Sequence, residues 1–172
     1  MFILLFFGLS LLSGCGYHLT TDKDPSLIAG KTIAIPVWRS KVYRPFMETV
    51  LTDSLLKEFS IRSGGQVVGV EAADLVLTGT IKSYGTSAVS FSADDQVREY
   101  RATISVDSTL TEKRSQTVLW KGELSSSQDY PASIDITAPN RIALQQNSEE
   151  AAIKEICRKL AEQIYLKVTE SF

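Results

Sequence analysis

The sequence predicts an α+β fold, a two-layer sandwich in which two helices pack on one face of a mainly antiparallel four-stranded sheet. Three segments in the middle of the chain alternate apolar and polar residues, which is typical of antiparallel strands with one buried and one solvated face. The two segments on either side of them repeat apolar residues at helical spacing. Both helices must bury an apolar stripe, and the apolar face of the sheet is available to each. The 172 residues, 44% of them hydrophobic, are enough for one such core.

The first unit is a strand at residues 32–37 followed by a helix at residues 45–61. Pro36 predicts that the strand lies at a sheet edge or contains a bulge, because proline donates no backbone hydrogen bond. Pro45 suits the first turn of a helix, and a Ser-Gly-Gly sequence at residues 63–65 ends it. The apolar stripe of this helix consists of Phe46, Val50, Leu51, Leu55 and Phe59.

The three alternating segments are residues 75–81, 100–110 and 118–124. The side chains predicted to point into the core are Leu75, Leu77, Ile81, Tyr100, Ala102, Ile104, Val106, Leu110, Val118, Trp120 and Leu124. The polar segment 112–117 is short enough to be a hairpin loop. Residues 83–95 are rich in Ser, Ala and Gly, and they form either a flexible hairpin end or an extension of both neighbouring strands.

The last element is a helix at about residues 148–169. Asn147 and Glu150 resemble a capping box at its start, and the polar run at 145–150 weakens an extension back toward Asn140. The predicted apolar stripe consists of Ile153, Ile156, Cys157, Leu160, Ile164 and Val168.

The first fifteen residues differ from the rest of the chain. Residues 2–12 form an apolar run about as long as the hydrophobic region of a signal peptide, and shorter than the roughly 20 residues of a membrane-spanning helix. Ser13 and Gly14 place small residues directly before Cys15, as in a lipobox. We therefore expect residues 1–14 to be a signal peptide, and Cys15 to carry a covalent diacylglycerol on its thiol and an N-acyl chain on its amine.

The expected domains are the signal peptide at 1–14, a lipidated N-terminus and tether at 15–30, and a single α+β domain at 31–172. More than one acyl chain is needed for stable anchoring in a membrane, and a fully modified Cys15 meets this need. Gly16, in place of an aspartate, favours transfer to the outer membrane in bacteria that sort lipoproteins by this residue. With Cys15 acylated, Cys157 has no partner for an intramolecular disulfide.

The sequence contains no motif typical of a catalytic or metal site. The patterns HExxH, GxSxG, CxxC and the P-loop are absent. The one histidine, His18, lies in the expected tether, and Cys157 on an apolar helix stripe is expected to be a buried thiol. A net charge of −2 argues against a general nucleic-acid binder. We therefore expect neither enzymatic activity nor a cofactor apart from the acyl chains on Cys15.

Five basic residues are candidates for binding an anionic group, because lysine and arginine hold phosphates and sugar acids through charge-assisted hydrogen bonds. Arg101 is on the solvated face by strand parity, and Arg98 lies near the strand's start. Lys82 lies near the end of the preceding strand, and Lys113 and Arg114 lie in the predicted hairpin loop. The five candidates are Lys82, Arg98, Arg101, Lys113 and Arg114. An ordinary solvated sheet face is the alternative interpretation.

Several short motifs occur in a characteristic order. They are CGYHL at 15–19, KTIAIP at 31–36 followed by YRP at 43–45, ADLVLTGTI at 73–81, YRATISV at 100–106 and VLWKG at 118–122. In this order they resemble the LptE family of lipopolysaccharide-assembly lipoproteins, over nearly all of the chain after residue 14.

The resemblance implies a non-enzymatic outer-membrane lipoprotein that plugs the β-barrel translocon LptD, assists its assembly and binds lipopolysaccharide for insertion at the cell surface. It would lie on the periplasmic side or inside the barrel. The five basic residues are nominated as lipopolysaccharide contacts on charge and position. The main alternative is an auxiliary lipoprotein of an ABC-type envelope lipid transport system, which shares the anchor and strands of the ADLVLTG kind. A periplasmic hydrolase is the enzymatic alternative.

Overall fold

The computed structural model describes residues 27–62, 66–133 and 139–169. The predicted signal peptide, Cys15, His18 and the Ser-Gly-Gly sequence lie outside the described residues. In chain order the elements are β1 (Ile33–Ala34), β2 (Arg39–Ser40), α1 (Met47–Arg62), a short 3-10 helix (Val70–Ala72), β3 (Leu75–Phe91), β4 (Val97–Glu112), β5 (Thr117–Pro131) and α2 (Arg141–Thr169).

Three long strands make up most of a mixed sheet. β3, β4 and β5 pair with their neighbours in antiparallel fashion, whereas β1 and β2 both pair with β3 in parallel. The two helices cover one face, which we call the inner face, and the opposite face is the outer face. This arrangement confirms the predicted two-layer α+β fold. It has five strands instead of four because the first predicted strand is divided.

The divided strand follows the edge of β3 that lies away from β4. Ile33 of β1 pairs with Leu75, and Arg39 of β2 pairs with Thr80. Pro36 stands between the two pieces, where it supplies no N–H to a continuous ladder. The predicted edge position is confirmed, and the predicted length at residues 32–37 is too long.

The inner face of the sheet confirms the alternation predicted for β3 and β4. The fully buried apolar side chains of these strands are Leu75, Leu77, Ile81, Ala102, Ile104, Val106 and Leu110. Apolar side chains from both helices pack against them and complete one core; these include Leu51, Leu55, Phe59, Ile156, Leu160 and Ile164. Burial of this contiguous apolar surface is the main stabilising contribution to the fold.

Trp38 attaches the divided edge strand to this core. Its backbone N–H donates a 3.0 Å hydrogen bond to Thr52 Oγ1 on α1. Its ring lies over Gly79 of β3, where an added Cβ would come within 2.4–2.6 Å of three ring carbons. The lack of a side chain at Gly79 therefore makes room for the buried indole ring.

β3 and β4 continue well beyond the ends that their alternating patterns predict. Their pairing reaches Phe91 opposite Val97, so residues 83–95 are largely an extension of both strands, which was one of the two expected alternatives. The register skips Lys82 and Val89 of β3, and each of these residues forms a β-bulge. Residues 85–89 are exposed.

The predicted alternation is wrong at the start of β5. Trp120 pairs with Leu110 and Val118 with Thr111, which leaves Leu119 as an extra residue. This bulge turns Val118 outward, where it is 55% exposed, while Trp120 and Leu124 stay packed against the core.

Both helices differ from their predicted limits. α1 begins at Met47, and Phe46, which was expected in its apolar stripe, is instead 74% exposed with a φ of 66°. α2 begins at Arg141, so Asn147 and Glu150 lie inside the helix and the predicted capping box is wrong. The helix extends through the polar run because half-buried members of that run bond to other elements: Gln145 accepts from the Ser133 backbone, and Glu149 accepts from Arg44.

The core also includes a residue from the segment expected to be a tether. Ile28 is only 5% exposed and belongs to the main apolar cluster, with Leu27 partly buried against it. The packed part of the chain thus includes residues before position 31.

Candidate functional site

The structure distributes the five nominated basic residues over three places. Lys82 lies near the middle of β3, Arg101 is opposite Ser87 and three residues from Arg98 on β4, and Lys113 and Arg114 are in the turn between β4 and β5. Arg98 is near the opposite end of β4 from Lys113, about 50 Å away at roughly 3.3 Å per strand residue. The five residues therefore do not form one cluster.

Lys82 and Arg101 are both paired with carboxylates from neighbouring strands. Lys82 Nζ lies 3.0 Å from Glu123 Oε1 and 3.6 Å from Asp107 Oδ1, and the bond to Glu123 is the main cause of a raised Lys82 pKa. Arg101 donates two hydrogen bonds, of 2.6 and 2.8 Å, to the Asp129 carboxylate. These bonds lower the pKa of Asp129. Each cation is thus neutralised locally by an acidic partner.

Lys113 connects the β4–β5 turn to the 3-10 helix through hydrogen bonds. Its Nζ donates hydrogen bonds of 2.7 and 2.8 Å to the backbone carbonyls of Val70 and Glu71. Arg114 is exposed beside it. The neighbouring Asp74 has a lowered pKa, mainly through the backbone N–H of Thr32 and more weakly through the charge of Arg114. Lys113 therefore has a structural role in addition to any ligand contact.

Arg98 lies at the other end of the sheet and differs from the paired cations. Its side chain is exposed, and within the described ranges it has no ion-pair partner. Arg98 and Arg114 are therefore the two nominated residues whose charges remain open to an anion, one at each end of β4.

The outer face of the sheet is polar, rich in hydroxyl groups and nearly balanced in charge. One row across it joins Gly85, Thr103 and Ser127, and the next joins Ser83, Ser105 and Ser125. Ser105 Oγ donates to Ser125 Oγ at 3.1 Å. Strand parity also places on this face the basic residues Lys82, Arg101 and Lys121 and the acidic residues Glu99, Asp107, Glu123 and Asp129. The prediction of a polar outer face is correct, but this face carries no excess of positive charge.

A half-buried polar cluster on the inner face was not predicted. Tyr84 of β3 donates its hydroxyl to Glu149 Oε1 on α2, and Arg44 donates to the same oxygen at 2.7 Å. The Arg44 guanidinium also lies 5.5 Å from the centre of the Tyr84 ring. Burial, followed by the hydrogen bond with Glu149, raises the pKa of Tyr84. The cluster joins the loop before α1, the extended part of β3 and the first half of α2.

One end of the molecule concentrates exposed apolar side chains. We define the hairpin end as residues 83–91 of β3, the paired residues 97–105 of β4, the loop 41–46 and the first part of α2 at 141–149. Among the described residues, eleven large hydrophobic side chains are exposed, and six of them belong to the hairpin end: Tyr43, Phe46, Val89, Phe91, Ile142 and Leu144. Such concentrations typically mark interaction sites.

Two kinds of reactive site, a metal centre and a nucleophilic thiol, are not found among the described residues. In this part of the chain no group of three or more His, Cys, Asp and Glu residues is placed to hold a metal. Cys157 is buried on α2, and burial raises the pKa of its thiol to about 12. A thiol of this kind is a poor nucleophile at neutral pH because it stays protonated. No helix in the described ranges is long and apolar enough to cross a membrane.

A family model for LptE, described as lipopolysaccharide-assembly, matches residues 30–168. The chain belongs to the LptE family. The match includes every strand and helix described above, and the LptE family is a non-enzymatic family of lipoproteins in lipopolysaccharide assembly. None of the curated proteins compared with the chain matches it.

Solved structures show the same fold at low sequence identity. Rare lipoprotein B from Shewanella oneidensis is 18% identical with a TM-score of 0.52, over 78% of this chain and 92% of that one. Hypothetical protein CT253 from Chlamydia trachomatis is 10% identical with a TM-score of 0.52, over 80% and 95%. Uncharacterized lipoprotein B from Nitrosomonas europaea is 16% identical with a TM-score of 0.50, over 81% and 83%.

Proposed function

We propose that this chain is an outer-membrane lipoprotein that forms a plug-and-barrel complex with the translocon LptD, assists its assembly and binds lipopolysaccharide for insertion at the cell surface. Membership of the LptE family over residues 30–168 is the observation that carries this proposal. The chain is proposed to be anchored through acyl chains on Cys15, on the periplasmic side or inside the barrel.

The outer face of the sheet suits contact with the inside of a large barrel. Barrel interiors are polar, and the outer face presents small hydroxyl side chains together with charges that are already paired within the sheet. Pairing Lys82 and Arg101 internally reduces the desolvation cost that burying unpaired charges would add. The exposed apolar side chains of the hairpin end provide a second kind of contact surface.

The proposed lipopolysaccharide contacts remain the five basic residues, with a division of roles. Arg98 and Arg114 keep exposed guanidinium groups, which bind phosphate in a bidentate manner. Lys82, Arg101 and Lys113 must exchange protein partners for a ligand phosphate. We therefore expect Arg98 and Arg114 to contribute most to binding.

Co-purification from membranes tests the translocon role. The tagged, lipidated protein, extracted in mild detergent, is expected to recover the LptD barrel, and a Cys15→Ser variant is expected to recover much less because it lacks the anchor. Recovery of inner-membrane ABC transporter subunits without the barrel would instead support the auxiliary-lipoprotein alternative and contradict this proposal.

A binding assay with purified lipopolysaccharide tests the ligand role. Replacing Arg98 and Arg114 by Gln is expected to weaken binding severalfold at low salt and less at high salt, since salt screens exposed charges. The matched control replaces the surface cations Arg39 and Lys57, which are not among the nominated residues. Equal binding by both double variants would remove Arg98 and Arg114 from the site.

A further inference from the structure

One edge of β3 is paired along only the first half of the strand. β2 pairs with Thr80 and Ile81, and the last hydrogen bond on this edge is donated by the Lys41 N–H to the Ile81 carbonyl at 2.9 Å. The chain then turns away toward α1. Beyond Ile81, within the described ranges, no backbone group bonds to this edge of β3, although the other edge stays paired with β4 as far as Phe91.

Between the bulges at Lys82 and Val89, the open edge lacks charge and proline, two of the features that usually protect exposed strands. Natural edge strands carry charged side chains or proline, or they are very short, because unpaired N–H and C=O groups attract other strands. The regular stretch between the bulges at Lys82 and Val89 reads Ser-Tyr-Gly-Thr-Ser-Ala at residues 83–88, with no charge and no proline.

The opposite edge of the sheet, on β5, is protected by these same means. β5 carries the charged residues Lys121, Glu123 and Asp129, and it ends in Pro131. Lys159 of α2 also reaches this strand and donates to the Ser127 carbonyl at 3.3 Å. Residues 124–128 of β5 are uncharged as well, but Lys159 bonds to their backbone, whereas within the described ranges no group bonds to the backbone of residues 83–88 on the open edge.

The surroundings of the open edge add apolar contacts. The loop that leaves the edge at Lys41 carries Tyr43, whose side chain is fully exposed, and Phe46, which is held outward by a backbone with a φ of 66°. A non-glycine residue with positive φ is strained and persists where the surrounding structure imposes it. Arg44 of the same loop lies 5.5 Å from the centre of the Tyr84 ring, so the loop adjoins the start of the open stretch.

We propose that the edge of β3 at residues 83–88 receives an extended, uncharged strand of the partner protein, in the position that β2 vacates after Lys41. Alternating N–H and C=O groups at strand spacing match the main chain of another strand, which is the basis of recognition by strand addition. This inference rests on the proposed function, because the translocon barrel is the partner whose segment would supply the strand. A single regular strand from the partner would pair with the stretch between the two bulges of β3. Pairing of two copies of β3 would instead bring four bulges into one ladder, two from each copy.

A pair of lysine substitutions tests this edge. Gly85 on β3 and Ser127 on β5 lie on either side of Thr103 in one row of the outer face. A Cβ at Gly85 meets nothing within 4 Å, so Gly85→Lys is expected to fold normally. It places a charge on the open edge, where lysine disfavours pairing, and Ser127→Lys places the same charge on the protected edge. Urea unfolding of both variants checks that their stabilities are alike.

The two readouts are recovery of the barrel with the lipidated protein and hydrogen–deuterium exchange of the peptide covering residues 83–91. We expect this peptide to exchange quickly in the free protein and to be protected in the complex. Gly85→Lys is expected to lower recovery roughly tenfold below that of Ser127→Lys, which corresponds to about 1.4 kcal/mol. Ser127→Lys adds the same charge to the same outer face and so accounts for the part of the loss that comes from the face instead of the edge.

Four outcomes would overturn the inference. A complex in which residues 83–91 stay unprotected, or equal losses with the two lysine variants, would exclude strand addition while leaving the proposed function intact. Failure of the unmodified protein to recover the barrel would remove the proposed function and this inference together. Protection of residues 83–91 that grows with concentration in the isolated protein would identify a second copy as the occupant.

Discussion

Two tryptophan rings on the inner face of the sheet lie over glycine residues. Trp38 lies against Gly79 on the neighbouring strand, and Trp120 lies against Gly122 in its own strand, where an added Cβ would be 2.6 Å from the ring. In each case a glycine lets a large ring lie flat on the backbone. The sequence alone does not predict these contacts, because they depend on ring orientation and strand register.

We predict that Gly79→Ala destabilises the protein by about 1–3 kcal/mol, the usual cost of overpacking a core. The added methyl group would overlap the buried Trp38 ring, which is held between the sheet and α1. Gly85→Ala in the same strand is the matched control, since its Cβ meets nothing within 4 Å. Urea unfolding gives both values, and equal effects would show that Trp38 moves aside freely.

Tyr84 is predicted to make stability depend on pH in the alkaline range. Burial and the hydrogen bond with Glu149 raise its pKa in the folded protein, so the folded state keeps a proton that the unfolded state loses above about pH 10. This stabilising contribution is fully present below pH 10 and decreases as the pH rises further. Tyr84→Phe should therefore reduce the loss of unfolding free energy as the pH rises from about 10 toward 12.

The control for this prediction is Tyr43→Phe, because the Tyr43 side chain is fully exposed. That variant should show the same pH dependence as the unmodified protein. An unchanged alkaline slope in Tyr84→Phe would mean that other groups, such as Tyr130 or Cys157, account for the effect.

Individual polar residues show that sequence patterns predict the face on which a side chain lies but not its partner. Strand parity correctly placed Arg101 on the outer face, but it gave no indication that Asp129 would lie opposite, because that contact depends on the register between β4 and β5. Tyr84 was missed for a related reason. The bulge at Lys82 reverses the parity of β3, so Tyr84 follows Ile81 onto the inner face although three positions separate them.

At the scale of elements, the sequence predicted both helices at the correct places in the chain, but their first residues were predicted wrongly. The apolar stripe of α2 was correct from Ile153 to Val168, since burial of that stripe determines the helix there. Its first two turns carry exposed residues and depend instead on contacts such as the salt bridge of Glu149 with Arg44. Patterns of hydrophobicity do not record contacts of this kind.

The start of α2 can be tested by the sign of one substitution. If Asn147 capped the helix, Asn147→Ala would destabilise the protein by about 1 kcal/mol. Because Asn147 is exposed inside the helix, we predict a stabilisation of up to about 0.5 kcal/mol, since alanine is the better helix former. Thermal and urea unfolding both measure the change, and a clear loss would support a cap at Asn147.

At the scale of the whole molecule, the core and most of the exposed apolar side chains are concentrated in different regions. Both helices, the first half of β3 and most of β4 supply the core, whereas residues 89–99 contribute no side chain to it. The sequence predicted the layers and the alternating faces because burial dictates them. It did not predict the open edge of β3, which exists only because the divided first strand ends at Ser40.

This separation predicts that the tip of the hairpin can be removed without loss of the fold. Replacing residues 89–99 by a short Asn-Gly turn, which favours hairpins, should change the unfolding free energy by less than about 1 kcal/mol, since no buried side chain is lost. The same variant should recover less LptD from membranes, because it removes exposed Val89 and Phe91.

Shortening the other hairpin provides the contrast. Deleting residues 113–116 removes the two hydrogen bonds that Lys113 donates to Val70 and Glu71, so this variant should be clearly less stable. Urea unfolding and co-purification are measured on both proteins. A loss of several kcal/mol in the variant lacking residues 89–99 would show that the tip supports the core after all, and full recovery of the barrel would place the contact surface elsewhere.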